Sequence, residues 1–182
     1  ILASLFTTVS PRTAGFNTVD LNRLSDDGIV MNIMLMLIGG ATGSTAGGMK
    51  TETVAVFGNF CTFGFCIVKK DATAFGRRIG TGVIFDAAAI FSLYFGTCVI
   101  SAMAISAIEG LPFLKCMFET ASAVATVGLT LGITPHLSTL SQLILIVLMF
   151  MGRVGGMTLV FATIARRHVV DPLKPEEKVQ VG

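Results

Sequence analysis

Two short strings in this sequence place a glycine two residues after a threonine, followed by an apolar and then a polar residue. They are Thr13-Ala14-Gly15-Phe16-Asn17 and Thr126-Val127-Gly128-Leu129-Thr130. In an extended Thr-x-Gly loop, successive backbone carbonyls can face one axis and replace the water shell of a monovalent cation. Glycine suits this position because a side chain would block the required backbone turn or the lumen. The alternative is an ordinary turn at a helix end.

The two strings belong to an internal repeat, which favours the ion-binding interpretation. Residues 1–17 and 116–132 each place a short apolar helix before the Thr-x-Gly string. A long apolar segment follows each one, at 26–68 and 139–165. Non-helical backbone at membrane depth is tolerated only inside protein or beside water. The carboxyl end of each short helix would also favour a cation. The predicted ion-binding residues are Thr13, Ala14, Gly15, Phe16, Thr126, Val127, Gly128 and Leu129.

Composition places these strings in an integral membrane protein. The chain is 53% hydrophobic and 13% charged, whereas soluble proteins carry about 25% charged residues. The net charge of +2 gives no reason to expect a nucleic-acid partner. The chain begins at Ile1 within an apolar run, so we expect it to be part of something larger.

Apolar runs and charges predict an all-α topology. A spanning helix needs about 20 residues, so 26–38 and 53–68 are read as two halves of one broken span. Basic residues concentrate in the 69–78 linker and in the tail, which predicts that both are cytoplasmic. The predicted apolar segments are 1–9, 26–38, 53–68, 79–108, the re-entrant 112–127 and 139–165.

The loop that breaks the first span reads GGATGSTAGGMKT over residues 39–51. It is not a Walker A phosphate loop, because Met49 separates Gly48 from Lys50. It is not a nucleophile elbow, because Thr45 stands where that motif needs serine. Broken helices near mid-membrane recur at ion pathways. The alternative is a flexible kink without function.

Several charged and polar residues are candidates for supporting roles. Arg153 lies within an apolar span and about 19 Å from Arg166 along a helix, too far for easy snorkelling. Glu119 can pair with Lys115 one turn away or bond the extended loop. The predicted supporting residues beside the two loops are Arg12, Asn17 and Glu119. No Ser/His, Asp/Asp or metal cluster is evident, so we expect no enzyme.

Four segments resemble the Trk/Ktr/HKT potassium-transporter superfamily, and most of all the membrane subunit of bacterial Ktr and Trk systems. They are SPRTAGFN, GGATGSTAGGMKT, FETASAVATVGLT and MFMGRVGGMTLVFA. The resemblance implies repeated helix–pore-loop–helix units like those of potassium channels, with residues 1–78 ending a third repeat and 79–182 forming a fourth. It leaves the Ktr and Trk branches open.

The same resemblance implies function and partners. It implies K⁺ uptake across the plasma membrane through the carbonyl filter, without a resident cofactor and with Na⁺ as a candidate activator. It further implies a homodimer and a cytosolic nucleotide-binding regulatory ring. The gate implied by the resemblance comprises Gly39, Gly40, Gly43, Ser44, Thr45, Gly47, Gly48, Lys50 and Arg153. The rival hypothesis is a sodium-coupled or sodium-selective secondary transporter with broken helices.

Overall fold

A computed structural model describes residues 2–41, 43–44, 46–66, 73–74, 77–78 and 81–155. Within these residues the chain is almost entirely helical, as its apolar segments predicted. The elements in chain order are α1 (Leu2–Val9), α2 (Asp26–Leu37), α3 (Thr51–Cys66), β1 (Thr73–Ala74), β2 (Arg77–Arg78), α4 (Thr81–Glu109), α5 (Phe113–Val124) and α6 (Thr139–Val154).

Helix α4 is the longest and most apolar of the described helices. Its Gly82–Glu109 portion has 28 residues with a hydropathy of 2.0, and among the described helices only this one is long enough to cross a membrane. Its buried residues recur every three or four positions and so form one face. They are Ile84, Ala87, Ile90, Tyr94, Cys98, Ala102 and Ile105. That face packs against the rest of the protein. The other faces of α4 remain available to an apolar environment.

Helix α5 lies at the centre of the packing. It contacts α2, α4 and α6, and every residue from Phe118 to Val124 is buried. Alanine and serine are common along this stretch, and small side chains let neighbouring helix backbones approach closely. Since the C-terminal Thr-x-Gly string begins two residues after α5 ends, the central helix fixes where that loop starts.

The chain contains two units with the same order of elements. We define the N-terminal unit as Leu2–Leu37 and the C-terminal unit as Phe113–Val154. Each runs from a short helix through a Thr-x-Gly loop and a 3-10 turn to a longer helix that follows a serine. Corresponding residues are separated by the same number of positions throughout. The pairs are Thr13 and Thr126, Gly15 and Gly128, Leu21 and Thr134, and Ser25 and Ser138.

The serines that precede the longer helices form different contacts in the two units. Ser25 caps α2 itself, because its hydroxyl accepts a hydrogen bond from the Gly28 N–H at 3.3 Å. Ser138 instead donates its hydroxyl to Glu109 Oε1 at 2.6 Å, and its N–H donates to the same oxygen at 2.9 Å. The Ser141 hydroxyl also reaches that oxygen, at 2.6 Å. The last residue of α4 therefore places a carboxylate at the N-terminus of α6, where negative charge is favourable.

One predicted segment differs from the structure. The sequence predicted a full-length apolar span over 139–165, whereas helix α6 ends at Val154. Gly155 follows with φ 89, a left-handed value that glycine adopts without a Cβ clash. Residues from 156 onward lie outside the described part. In the basic linker, where the sequence predicted no particular element, Thr73–Ala74 pairs antiparallel with Arg77–Arg78.

The packing of α4 yields a stability prediction. Ala102 is fully buried on the inward face of α4, whereas Ala107 is exposed. Ala102→Leu should overpack that face and destabilise the protein by about 1–3 kcal/mol. Thermal unfolding of the purified protein in detergent would measure a lower midpoint. Ala107→Leu is the matched control and should change little; equal effects of the two substitutions would contradict this packing.

Candidate ion-conduction site

The N-terminal loop (residues 13–17) has a backbone shape that few residues adopt. Thr13 has φ 62 and Gly15 has φ 71, while Ala14 between them has a negative φ. Both Ala14 and Gly15 donate their N–H groups to the Ser10 carbonyl, at 3.2 and 3.1 Å. The buried Ser10 hydroxyl donates to the carbonyl of Phe16. Ser10 thus hydrogen-bonds to both ends of the loop, through its carbonyl at Ala14 and Gly15 and through its hydroxyl at Phe16.

The C-terminal loop (residues 126–130) repeats this shape. Thr126 has φ 55 and Gly128 has φ 88, and the Val127 N–H donates to the Ser122 carbonyl at 2.9 Å. Thr13 and Thr126 are the only non-glycine residues with positive φ in the described part of the chain. For a β-branched residue such a φ is an outlier that persists only when its surroundings impose it. Because this positive φ recurs at two corresponding threonines, both loops require the same backbone turn at that position.

The two loops touch each other. A Cβ on Gly15 would overlap the Val127 carbonyl oxygen and would lie 3.9 Å from the Gly128 Cα. The side chains of Val127 and Leu129 are buried, whereas Gly128 and Thr130 are exposed. Apolar side chains thus anchor the C-terminal loop on one side and leave its other side open. In the N-terminal loop, by contrast, Phe16 is 72% exposed.

Glu119 is the strongest anchor of the C-terminal loop. One carboxylate oxygen accepts the Thr130 hydroxyl at 2.6 Å and the Leu131 N–H at 2.9 Å, and the other accepts the Thr134 hydroxyl at 2.9 Å. Of the two partners that sequence left open, the extended loop is therefore the one that Glu119 bonds, and Lys115 is exposed. Hydrogen bonds to a charged group are roughly twice as strong as neutral ones.

The other predicted supporting residues make smaller contributions. Asn17 forms a local turn in which its side-chain oxygen accepts the Val19 N–H at 3.1 Å. The side chain of Arg12 is exposed. Sequence reasoning missed Ser10, although a serine directly before Pro11 at a helix end was an available signal. It also missed Glu109, whose partners lie 29 and 32 residues away along the chain.

The Gly-rich loop (residues 39–51) is closed at its base. The Gly39 N–H donates to the Met49 carbonyl at 2.7 Å, the Met49 N–H to the Leu37 carbonyl at 3.2 Å, and the Thr51 N–H to the Gly40 carbonyl at 3.2 Å. We call these bonds the neck of the loop. They satisfy backbone groups that would otherwise be costly at membrane depth. A closed neck argues against the flexible-kink alternative.

Lys50 holds the tip of this loop. Its ammonium group donates to the carbonyls of Ser44 at 3.0 Å and Ala46 at 2.8 Å. Gly43 and Ser44 are exposed at the tip. Thr45, also predicted for this site, lies outside the described residues. The lysine is therefore part of the loop's internal structure rather than a charge at its outer edge.

The Gly-rich loop lies against the end of α5. A Cβ on Gly48 would lie 3.4 Å from the Ala125 Cβ, and one on Gly39 would overlap the Gly47 carbonyl. A Cβ on Gly40 would overlap the Ser44 hydroxyl. From the other direction, Gly152 of α6 approaches the Val124 carbonyl so closely that a Cβ would overlap it. Arg153 follows Gly152 in the last turn of α6 and is exposed.

The sequence that forms the two Thr-x-Gly loops and the Gly-rich loop matches a known family. The family model for TrkH, a cation transport protein, matches residues 1–168. The chain belongs to the TrkH family of cation transport proteins. As a member of that family it is part of a membrane transporter and not an enzyme, as the sequence predicted.

Several curated relatives support this membership. The chain is 38% identical to the potassium/sodium uptake protein NtpJ of Enterococcus hirae over 98% of its length, covering 41% of that protein. It is 40% identical to the Ktr system potassium uptake protein B of Bacillus subtilis over 88% of its length, covering 36% of that protein. A protein of the same description from Vibrio alginolyticus is 38% identical over all of this chain, which covers 39% of it. This TrkH-family chain thus spans about two fifths of the relatives' length.

The Glu119 contacts predict a change in this TrkH-family protein. Glu119→Ala should leave the buried Leu131 N–H without its partner, at a cost of about 1–3 kcal/mol, and loosen the loop. We expect a lower midpoint of thermal unfolding for the protein purified in detergent. Glu119→Gln retains an acceptor for Leu131 and should be milder. If the alanine and glutamine variants both unfolded at the wild-type midpoint, Glu119 would not anchor the loop.

Proposed function

We propose that this chain forms part of a K⁺ uptake pathway, with a filter of backbone carbonyls from Thr13–Phe16 and Thr126–Leu129. The observation that carries the proposal is the pairing of two equally shaped loops, in which Gly15 lies against the Val127 carbonyl. Within each loop φ changes sign at every step from threonine to glycine. In the proposed filter the carbonyls of both loops would face one axis and replace the water shell of a monovalent cation.

The short helices add to the attraction for a cation. Helix α1 ends at Val9 and α5 ends at Val124, each shortly before its Thr-x-Gly loop. The carboxyl end of a helix carries a partial negative charge of about half an elementary charge. Both helices therefore direct favourable potential toward the loops.

The arrangement of repeats follows from the same proposal. Residues 1–78 would end a third repeat and 79–182 would form a fourth, each with a pore loop of the potassium-channel kind. Two further filter loops would then come from the part of the longer protein that this chain does not cover. This division is consistent with the coverage of about two fifths of the relatives.

We assign the gate to the Gly-rich loop together with Arg153. The loop lies directly beside the end of α5, where the C-terminal filter loop begins. Its neck is fixed by backbone hydrogen bonds, and its tip is held by Lys50. Release of the tip would open the path, and the positive charge of Arg153 would raise a barrier to cations.

Sodium transport is the second candidate function. It is favoured by one observation, the 38% identity to a relative named as a potassium/sodium uptake protein. A carbonyl filter of four similar loops and a sodium-coupled carrier predict different ion orders. Fluxes of K⁺, Rb⁺ and Na⁺ through the full-length protein would separate them, with K⁺ and Rb⁺ well above Na⁺ for the proposed filter.

The proposed setting is the plasma membrane, with the 69–78 linker and the C-terminus in the cytoplasm. The proposed assembly is a homodimer of the full-length subunit in lipid, regulated by a cytosolic nucleotide-binding ring. Potassium is the transported ion, Na⁺ is a candidate activator, and no nucleic acid takes part.

Gly128→Ser tests the filter. Gly128 has φ 88, where a side chain adds about 1–2 kcal/mol of strain, and no described atom lies within 4 Å of its Cβ position. We expect the variant to lose most of its preference for K⁺ over Na⁺ in flux assays. Gly132→Ser is a matched control, because Gly132 has φ 85 and equally open space. Unaltered preference in Gly128→Ser would rule out the carbonyl filter.

Lys50→Met tests the gate. The substitution removes two charge-assisted hydrogen bonds to the loop tip, each contributing about 1.5 kcal/mol or more. Since 1.4 kcal/mol is tenfold in an equilibrium and the two bonds together contribute about 3 kcal/mol, we expect K⁺ flux to rise by up to about a hundredfold and to lose its regulation. Lys115→Met removes an exposed lysine of α5 and should leave flux unchanged. Flux that stays at the wild-type level in Lys50→Met would contradict the gate assignment.

A further inference from the structure

The side chain of Thr126 lies between two glycines from different elements. Gly47 approaches it from the Gly-rich loop and Gly152 approaches it from α6. We call this arrangement the Thr126 junction, formed by Gly47, Thr126 and Gly152. It joins the proposed filter, the proposed gate and the helix that carries Arg153.

Gly47 leaves no space for a side chain on the loop side of the junction. A Cβ there would overlap the Thr126 hydroxyl oxygen, and would lie 2.8 Å from the Thr126 Cγ2 and 3.0 Å from the Ala125 carbonyl oxygen. Real Cβ atoms are not found at such separations, so a residue larger than glycine would have to displace Thr126 or the loop. Gly47 itself is buried.

Gly152 closes the junction from the opposite side. A Cβ on Gly152 would overlap the Val124 carbonyl oxygen and lie 3.1 Å from the Thr126 Cγ2. The methyl group of Thr126 is therefore in close reach of both glycines. Packed interiors tolerate few alternative positions for such a group.

A line of contacts connects the ends of the two longer helices through this junction. Gly39 follows α2 and Gly152 lies near the end of α6, and the same number of residues separates them as separates Thr13 from Thr126. Gly39 contacts the Gly47 carbonyl, Gly47 contacts Thr126, and Thr126 contacts Gly152. Corresponding glycines of the two units are thus linked through one threonine side chain.

Thr126 is also a residue whose conformation needs support. Its φ of 55 is unfavourable for a β-branched residue, and such strain persists only where neighbouring atoms impose it. Two of those neighbours belong to elements outside the loop. If the Gly-rich loop moves, one side of that support is removed.

We propose that Gly47 and Gly152 are positioning residues for Thr126, so that their contact with its side chain maintains the ion selectivity of the filter. The proposal rests on the proposed function, since it treats Thr126–Leu129 as filter and the Gly-rich loop as gate. Gly47 lies next to the neck of the Gly-rich loop, so this contact would persist when the tip is released. A substitution that disturbs the contact would displace Thr126, relax the first carbonyls of the C-terminal loop and lower the preference for K⁺.

The first test is Gly47→Ala in the full-length protein, reconstituted into liposomes. The added methyl group displaces Thr126, so we expect a several-fold fall in the K⁺/Na⁺ flux ratio. Gly96→Ala is the control, because Gly96 lies in α4 with no atom within 4 Å of its Cβ position. A Gly47→Ala protein with altered total flux and an unaltered K⁺/Na⁺ ratio would overturn the proposal.

A double substitution tests whether Thr126 transmits the effect. Thr126→Ala removes the hydroxyl and methyl groups that a Cβ on Gly47 would meet. We expect Gly47→Ala combined with Thr126→Ala to show the flux ratio of Thr126→Ala alone. Independent, additive changes in the two variants would show that Gly47 acts by another route.

A second measurement covers the case in which Gly47→Ala fails to fold. Thr126→Ser keeps the hydroxyl and removes the methyl group that Gly47 and Gly152 both approach, so we expect it to lower the K⁺/Na⁺ ratio. Lys50→Met releases the loop tip and leaves this contact in place, so it should raise flux and keep the ratio. An unaltered ratio in Thr126→Ser would overturn the proposal.

Gly128→Ser separates this proposal from the filter on which it rests. Loss of K⁺ preference in Gly128→Ser, with an unaltered ratio in Gly47→Ala and Thr126→Ser, overturns the positioning role of the two glycines and leaves the filter standing. Retained preference in Gly128→Ser overturns the filter and with it the proposed role of Thr126.

Discussion

Satisfaction of backbone polar groups is the constraint on which the rest of this structure depends. A loop at membrane depth must find partners for its N–H and carbonyl groups, because lipid supplies none. Each described loop meets this requirement with a nearby group. The Ser10 carbonyl serves the N-terminal loop, Glu119 serves the C-terminal loop, and the neck bonds with Lys50 serve the Gly-rich loop. The described parts of these irregular segments are therefore held by specific hydrogen bonds.

The two units meet this constraint in different ways. Glu119 occupies in the C-terminal unit the place that Phe6 occupies in the N-terminal unit. The C-terminal loop is thus tied by a buried carboxylate, whereas the N-terminal loop is tied by the Ser10 hydroxyl. The short helices also differ in burial. Helix α5 contacts three other helices, whereas α1 has no buried residue. Similar loop backbones are thus held by unlike surroundings.

Sequence indicated the local features of this chain and missed the contacts between distant segments. Apolar runs placed the described helices to within a few residues, apart from the end of α6, and the two Thr-x-Gly strings marked the loops. The bond from Ser138 to Glu109 and the meeting of Gly47 with Thr126 join segments far apart in sequence. The end of α6 at Val154 was missed because the apolar pattern continues past Gly155, and only the backbone shows the left-handed turn there.

The proposed filter and the proposed gate make opposite demands, and separate parts of the Gly-rich loop would meet them. A filter needs oxygens held in fixed positions, whereas a gate needs a segment that can move. The neck is closed by three backbone bonds, and Gly48 packs against Ala125 beside the C-terminal loop. The tip is exposed at Gly43 and Ser44, and Lys50 donates to the Ser44 and Ala46 carbonyls. Under the proposal, release of the tip with the neck still closed would open the path while the loop stays anchored. Gly47, next to the neck, would then keep Thr126 in its strained conformation.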